Sequence, residues 1–249
     1  MLYSGNNFFN LSVFVQKAPD TTVIYIGFSV HDCISLFDKD PGRLDMGIEK
    51  LIEGNQTFVE NEYAENIEYY KALLKGQNPH VMMIGCCDSR VAPEITCHAK
   101  PGEVFVHRNI GNIVPPGDWN VGTFLEYGIR HLNIDTLEVC GHEECGAMKA
   151  LASKKKGDDI FIPGWLRHAH PALECLEGKG ERPTDPEEAR TWQSALEIEN
   201  VKLQLGHLRT YPFVKEAEEA GKLRLVGLYY RMSTAQMEII DPGTPLRRD

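Results

Sequence analysis

Short apolar runs alternate along this chain with longer stretches of helical periodicity, and that alternation leaves few folds open. Val81-Met82-Met83-Ile84, Glu103–Val106, Thr136–Cys140 and Leu223–Tyr229 read as buried strands. Helical patterns cover Val121–Leu132, Cys145–Ser153, Pro163–Leu176, Pro186 to about Leu208, and Pro212–Ala220, the last stopped by Gly221. Another runs from Leu44 to about Leu74, where Ile48, Leu51, Ile52, Asn55 and Phe58-Val59 place an apolar stripe on one face. Gly76-Gln77-Asn78-Pro79 ends it. Strands separated by helices need crossover connections, so the fold class is α/β, with four parallel strands in one sheet flanked by helices. Gln236–Ile240 follows the fourth strand closely enough to return as a short antiparallel edge strand.

The remaining composition narrows the function. A net charge of −10 argues against a nucleic-acid partner, which needs basic groups to displace counterions from phosphates. No apolar run is long enough to span a bilayer, so no membrane role is expected. Thr22–Val30 is apolar but short, preceded by Asp20 and without a basic flank, which makes a poor signal peptide. Seven cysteines, an odd number without framework spacing, read as reduced thiols, metal ligands or core residues. These features place the protein in the cytoplasm, with an organelle stroma or matrix left open. Lys154–Asp159 and Gly178–Pro186 read as surface loops rather than linkers, so residues 46–249 are expected to form a single domain. Residues 1–45 are expected to be a variable N-terminal arm, or to precede a true start at Met46.

Two of the strands run into residues that carry chemistry. The first is followed by Gly85-Cys86-Cys87-Asp88-Ser89-Arg90-Val91, the third by Gly141-His142-Glu143-Glu144-Cys145-Gly146. Parallel strands open at one edge of the sheet, where α/β folds hold their ligands. His142 and Cys145, three apart at a strand-to-helix junction, are expected to share one face of the first helical turn and hence a metal. A thiol at a helix N-terminus is further disposed to ligate as thiolate. One cysteine of the first loop completes a Cys2His set, the pattern of a catalytic zinc with one position left over. If that loop stays extended, Cys86, Asp88 and Arg90 project to one side and Cys87 and Ser89 to the other. Cys86 is then the ligand and Cys87 a core filler; Cys97, Cys140 and Cys175 are core or surface thiols. A carboxylate gripped by a guanidinium stays ionised beside the metal, free to accept a hydrogen bond from bound water or to take the fourth position itself.

These motifs, with Arg108-Asn109-Ile110-Gly111-Asn112 between them, resemble in order and spacing those of the β-class carbonic anhydrases, over roughly Leu44 to Ile240. The resemblance implies zinc, one per subunit, on Cys86, His142 and Cys145, with Asp88 and Arg90 as the catalytic dyad. It also implies that Gln77 reaches substrate from a partner subunit, and that Phe105, Ile110, Tyr127 and Gly146 line a narrow pocket for CO2 and bicarbonate. The family's clefts form between subunits, so a homodimer or larger even-numbered homo-oligomer is implied. Some members hold inhibitory bicarbonate with a Trp three residues before the zinc cysteine; that position is Met83 here, although Arg108 is present, which implies the plant-like site.

The activity implied is reversible hydration of CO2 by zinc hydroxide, with His207 and Tyr211 as candidates for proton export. A COS or CS2 hydrolase of the same family would carry the same ligand set; a non-catalytic bicarbonate or CO2 sensor is a further alternative, against which stand the ligands, the dyad and Gln77, all present here. A redox role for Cys86-Cys87 is the weakest alternative, because a vicinal disulfide closes a strained ring.

Overall fold

A computed structural model describes residues 12–18, 21–27, 47–153 and 158–247. They fall into two compact units, one extending to Leu74 and the other starting at Lys75. In the first, β1 (Ser12–Ala18) and β2 (Thr21–Gly27) form an antiparallel pair, Ala18 opposite Thr21 and Ser12 opposite Gly27. The sequence reading placed no strand there. Most of the N-terminal arm, and the alternative start at Met46, lie outside the described residues. The helix expected over 44–74 is present as α1 (Ile48–Phe58), a π turn (Val59–Tyr63) and α2 (Ile67–Leu73). Its apolar stripe is not covered: Ile48, Leu51, Ile52 and Val59 are all exposed in the single chain.

The second unit is built on a five-stranded sheet of order β4-β3-β5-β6-β7. The strands are β3 (Val81–Cys86), β4 (Val104–Asn109), β5 (Thr136–His142), β6 (Arg224–Arg231) and β7 (Gln236–Asp241). β4, β3, β5 and β6 are parallel and β7 is antiparallel to β6, as the alternation of runs requires. β3 and β5 run two residues further than the apolar runs alone indicate, so each ends on a residue of its chemical motif.

Both faces of the sheet are covered, which is why β3 is a continuous apolar run rather than an alternating one. On one face Met82, Ile84, Leu137, Val139 and Leu225 pack with Leu125, Val201, Leu205, Leu208 and Val214. On the other, Met83, Cys140, Val226, Leu228 and Tyr230 form a smaller cluster. Each such side chain contributes roughly 1.5–3 kcal/mol of burial.

The helices of this unit are α3 (Pro93–Thr96), α4 (Trp119–Glu126), α5 (Gly146–Ser153), α6 (Ile162–Leu166), α7 (His170–Glu177), α8 (Pro186–Leu208) and α9 (Pro212–Glu219). Asp118 caps α4 by accepting from the Val121 amide, and Asp185 caps α8 through the Glu187 and Glu188 amides. The single helix expected over 163–176 is two helices around a 3-10 turn (Arg167–Ala169). Pro171 lies in the first turn of α7, where its missing N–H is tolerated, and it cannot continue α6.

Close approach of α8 to the sheet depends on Gly141. A Cβ there would lie 2.6 Å from Val201 Cγ2, in a fully buried contact. Gly141→Ala is expected to destabilise the fold by about 1–3 kcal/mol, read as a lower urea midpoint at unchanged slope. An unchanged midpoint would show that α8 yields there at no cost.

Candidate metal centre

The adjacency of β3 and β5 brings the two chemical motifs to one edge of the sheet. Cys86 is the last residue of β3 and His142 the last of β5. The chain then turns through Glu143 and Glu144, the latter at φ +62°, and delivers Cys145 to the start of α5. His142 and Cys145 therefore meet across a tight turn rather than along one helical face, since the strand persists through His142. The ligating atoms of Cys86, His142 and Cys145 all lie within 4.8 Å of one another, and all three residues are buried.

Their chemistry fits a metal ion. His142 Nδ1 lies 2.9 Å from the Glu143 carbonyl, which fixes the proton on that nitrogen. Nε2 is left buried with no hydrogen-bond partner, a lone pair that a metal ion would satisfy. The two thiols are close enough to share a proton. Hydrogen bonding from Cys145 pulls the Cys86 thiol well below its ordinary range, and Cys86 in turn pushes Cys145 up. A cation between them takes both as thiolates, and two sulfurs with one imidazole suit zinc. The Gly111 amide donates to Cys86 Sγ at 3.4 Å. Gly111 is at φ +78°, and a Cβ there would lie 2.9 Å from the Ala147 Cβ, so only glycine brings the amide this close.

Asp88 reaches the centre by a different route from the extended strand the sequence implies. β3 stops at Cys86, and Asp88 folds into a turn closed by Val91 N to Asp88 O at 3.0 Å. The Arg90 amide donates to Asp88 Oδ1 at 3.0 Å, Nε to Oδ1 at 2.9 Å and Nη2 to Oδ2 at 2.7 Å. The Arg90 side chain, outweighing burial, holds the Asp88 carboxyl far below the usual carboxylate range. Arg90 also donates to the Glu144 carbonyl at 3.1 Å, tying the first loop to the second. Asp88 Oδ2 stands 4.0 Å from the unpartnered His142 Nε2. Cys87 is exposed rather than a core filler, because the strand pattern that would have turned it inward ends one residue earlier. Cys140 is buried; Cys97 and Cys175 are exposed.

The Arg108-Asn109 pair is a clamp. Arg108 donates to the carbonyls of Cys86, Asp88 and Val91 at 2.9, 2.8 and 2.6 Å, holding the whole Cys86–Val91 loop. Asn109 closes the following loop through the backbone of Ile113. Phe105 and Tyr127, ring centroids 5.9 Å apart, line a cleft of about 590 Å³ with Asn120, Thr123 and Phe124. Ile110 is exposed, its carbonyl accepting from Trp165 Nε1, and Gly146 is exposed at the start of α5. Gln77 lies exposed in the loop before β3. Tyr211 is buried with its hydroxyl on the Pro115 carbonyl, and His207 Nδ1 lies 3.0 Å from both the Val114 carbonyl and Gln204 Oε1.

A sequence model of the family described as carbonic anhydrase matches residues 81–237, which contain every strand of the sheet except the last four residues of β7. A carbonic anhydrase of Pseudomonas aeruginosa is 38% identical over 195 residues, covering 77% of this chain and 86% of the relative. Beta carbonic anhydrase 3 of Arabidopsis thaliana is 34% identical, covering 78% of this chain and 77% of the relative. Among solved structures, the β-carbonic anhydrase CcaA superposes with a TM-score of 0.73 at 29% identity, covering 80% of this chain and 93% of that one. A Coccomyxa β-carbonic anhydrase in complex with acetazolamide gives 0.71 at 29% identity, over 81% of this chain and 90% of that one. Sheet order, the Cys86–His142–Cys145 cluster and these matches agree: the chain belongs to the β class of the carbonic anhydrase family, zinc enzymes whose activity is the reversible hydration of CO2.

Proposed function

We propose that Asp88, braced by Arg90, orients the water that attacks CO2 beside a zinc ion held by Cys86, His142 and Cys145. The observation that carries this is the place of the Asp88 carboxylate, 4.0 Å from the lone buried nitrogen of His142 and gripped on both oxygens by Arg90. Zinc in such a site acts as a Lewis acid that makes water a nucleophile near neutral pH. The rest falls to the protein. Asp88 stays ionised and accepts a hydrogen bond from the attacking water, which directs the oxygen lone pair at carbon. A C–O bond forms, one C=O π pair moves onto oxygen, and the proton leaves to solvent, giving bicarbonate. Arg90 holds the carboxylate as a bidentate fork, a geometry lysine cannot supply.

The same reading assigns Phe105 and Tyr127 to the apolar wall of the substrate channel, with Ile110 and Gly146 nearer the metal loops. Gln77, exposed in its own chain, serves as a donor to substrate from across a homodimer interface. The uncovered apolar stripe of α1 supports a contact with a partner subunit, because contiguous exposed apolar residues mark interaction surfaces. A chain from the crystal structures of two tetrameric β-carbonic anhydrases of Sordaria macrospora superposes at 26% identity and a TM-score of 0.71, in keeping with an even-numbered homo-oligomer. Residues 46–249 form the catalytic part in this reading, and the compartment is the cytoplasm or an organelle stroma or matrix. Among the described residues no helix is long and apolar enough to cross a membrane. Arg108 is committed to three carbonyls and Met83 is buried, which favours a plant-like site without inhibitory bicarbonate.

Stopped-flow CO2 hydration, with zinc measured on the same sample, tests the proposal. About one zinc per chain and buffer-dependent turnover at alkaline pH are expected. Stoichiometric zinc without turnover would overturn it.

A further inference from the structure

The long helix α8 buries a row of polar side chains that the reaction described above does not use. Gln193, Glu197, Asn200 and Gln204 are each 3% exposed or less. They recur every three or four residues and so share one face of the helix. Buried polar groups are costly unless bonded, and the bonds made here run to the turn that presents Cys145 and to the Gly111–Val114 loop, whose Gly111 amide supports the Cys86 sulfur. Glu197 Oε1 accepts from the Cys145 amide at 2.9 Å and from Gln193 Nε2 at 3.0 Å. Its other oxygen accepts from the Tyr229 hydroxyl at 2.6 Å, fixing the carboxylate to β6. Asn200 Nδ2 donates to the Gly111 carbonyl at 3.0 Å, and Gly111 is the residue whose amide donates to Cys86 Sγ. Gln204 donates to Asn200 Oδ1 at 2.8 Å and accepts from the Val114 amide at 2.8 Å, setting the amide of Asn200 and the far end of the same loop.

We propose that Glu197 and Asn200 are positioning residues of the zinc centre, one fixing the backbone of Cys145 and the other the N–H group that supports the Cys86 sulfur. Through them a single rigid helix sets the distance and orientation between the two thiolates. The inference rests on zinc binding by Cys86, His142 and Cys145, and it concerns how tightly and in what geometry the metal is held. Neither residue touches substrate.

The test uses the whole chain with zinc or cobalt(II) as the metal. Glu197→Ala and Asn200→Ala are expected to weaken zinc binding in chelator competition by roughly 10- to 100-fold. Both are expected to shift the thiolate-to-cobalt charge-transfer band, a signature that a purely structural role would leave in place. Glu197→Gln keeps an oxygen that accepts from the Cys145 amide, so it is expected to retain most of the affinity and the parent band. Wild-type affinity and an unshifted band in both alanine variants would overturn the proposal. If Glu197→Ala does not yield folded protein, Asn200→Ala decides by the same two readouts. A parent protein that binds no zinc would instead overturn the metal site itself, which separates the two failures.

Discussion

Cys86→Ser is expected to strip the protein of zinc and of CO2 hydration, while Cys87→Ser, one residue along, leaves both intact. Cys86 is the buried end of β3, with its sulfur within 4.8 Å of the other two ligating atoms and supported by the Gly111 amide. Serine in its place offers an oxygen that does not ionise near neutral pH and that binds zinc weakly compared with thiolate. Two ligands remain, too few to hold the ion against dialysis, and less than about a tenth of a zinc per chain is expected. Cys87 is exposed, and its amide donates to the Asn109 carbonyl at 2.8 Å, a bond that serine keeps. Its replacement is expected to change stability by less than about 0.5 kcal/mol. Metal content by elemental analysis and turnover on the same samples decide the matter. Zinc lost from the Cys87 variant and kept in the Cys86 variant would place the ligand one residue further along the chain.

The presence of β3 and β5 was legible, β3 from a continuous apolar run that marks a strand covered on both faces and β5 from its apolar Leu137, Val139 and Cys140, but each strand extends two residues into the motif that follows. Choosing Cys86 over Cys87 followed from the alternation of an extended chain, and it agrees with the cluster the structure assembles. The path of Asp88 did not follow from that alternation. Its carboxylate takes hydrogen bonds from the Arg90 amide and guanidinium, and this local competition ends the strand and turns the loop back toward His142. The polar row of α8 escaped notice because polar residues at helical spacing usually face water. The signal was present in the pairs Trp192-Gln193, Leu196-Glu197, Asn200-Val201 and Gln204-Leu205, which set a polar and an apolar stripe side by side. A helix with both stripes adjacent is buried over more than one face, and its polar stripe must find partners. The pairing of β1 with β2 was hidden for another reason: one apolar run such as Thr22–Val30 does not reveal the strand it pairs with.

Asp88→Asn is expected to keep zinc but lower kcat for CO2 hydration by about 100-fold, the scale for removing a group that orients an attacking water next to a metal. The substitution preserves size and leaves the three ligands untouched, so zinc content should match the parent. It removes the negative charge that Arg90 grips, and it places an amide NH2 group where an acceptor is needed. Arg90 is half exposed and its partner largely covered, with side-chain exposures of 54% and 15%, so the pair is held by geometry more than by screened attraction. Arg90→Ala should therefore act through Asp88, by freeing the carboxylate to rotate away from the water. The two changes are predicted to be strongly non-additive: the double variant should be about as slow as Asp88→Asn alone. Independent losses that multiply would mean that Arg90 acts on substrate in its own right. Unchanged turnover in Asp88→Asn would remove the carboxylate from the reaction and leave the Asp88–Arg90 pair as a brace joining the Cys86 loop to the Glu144 carbonyl.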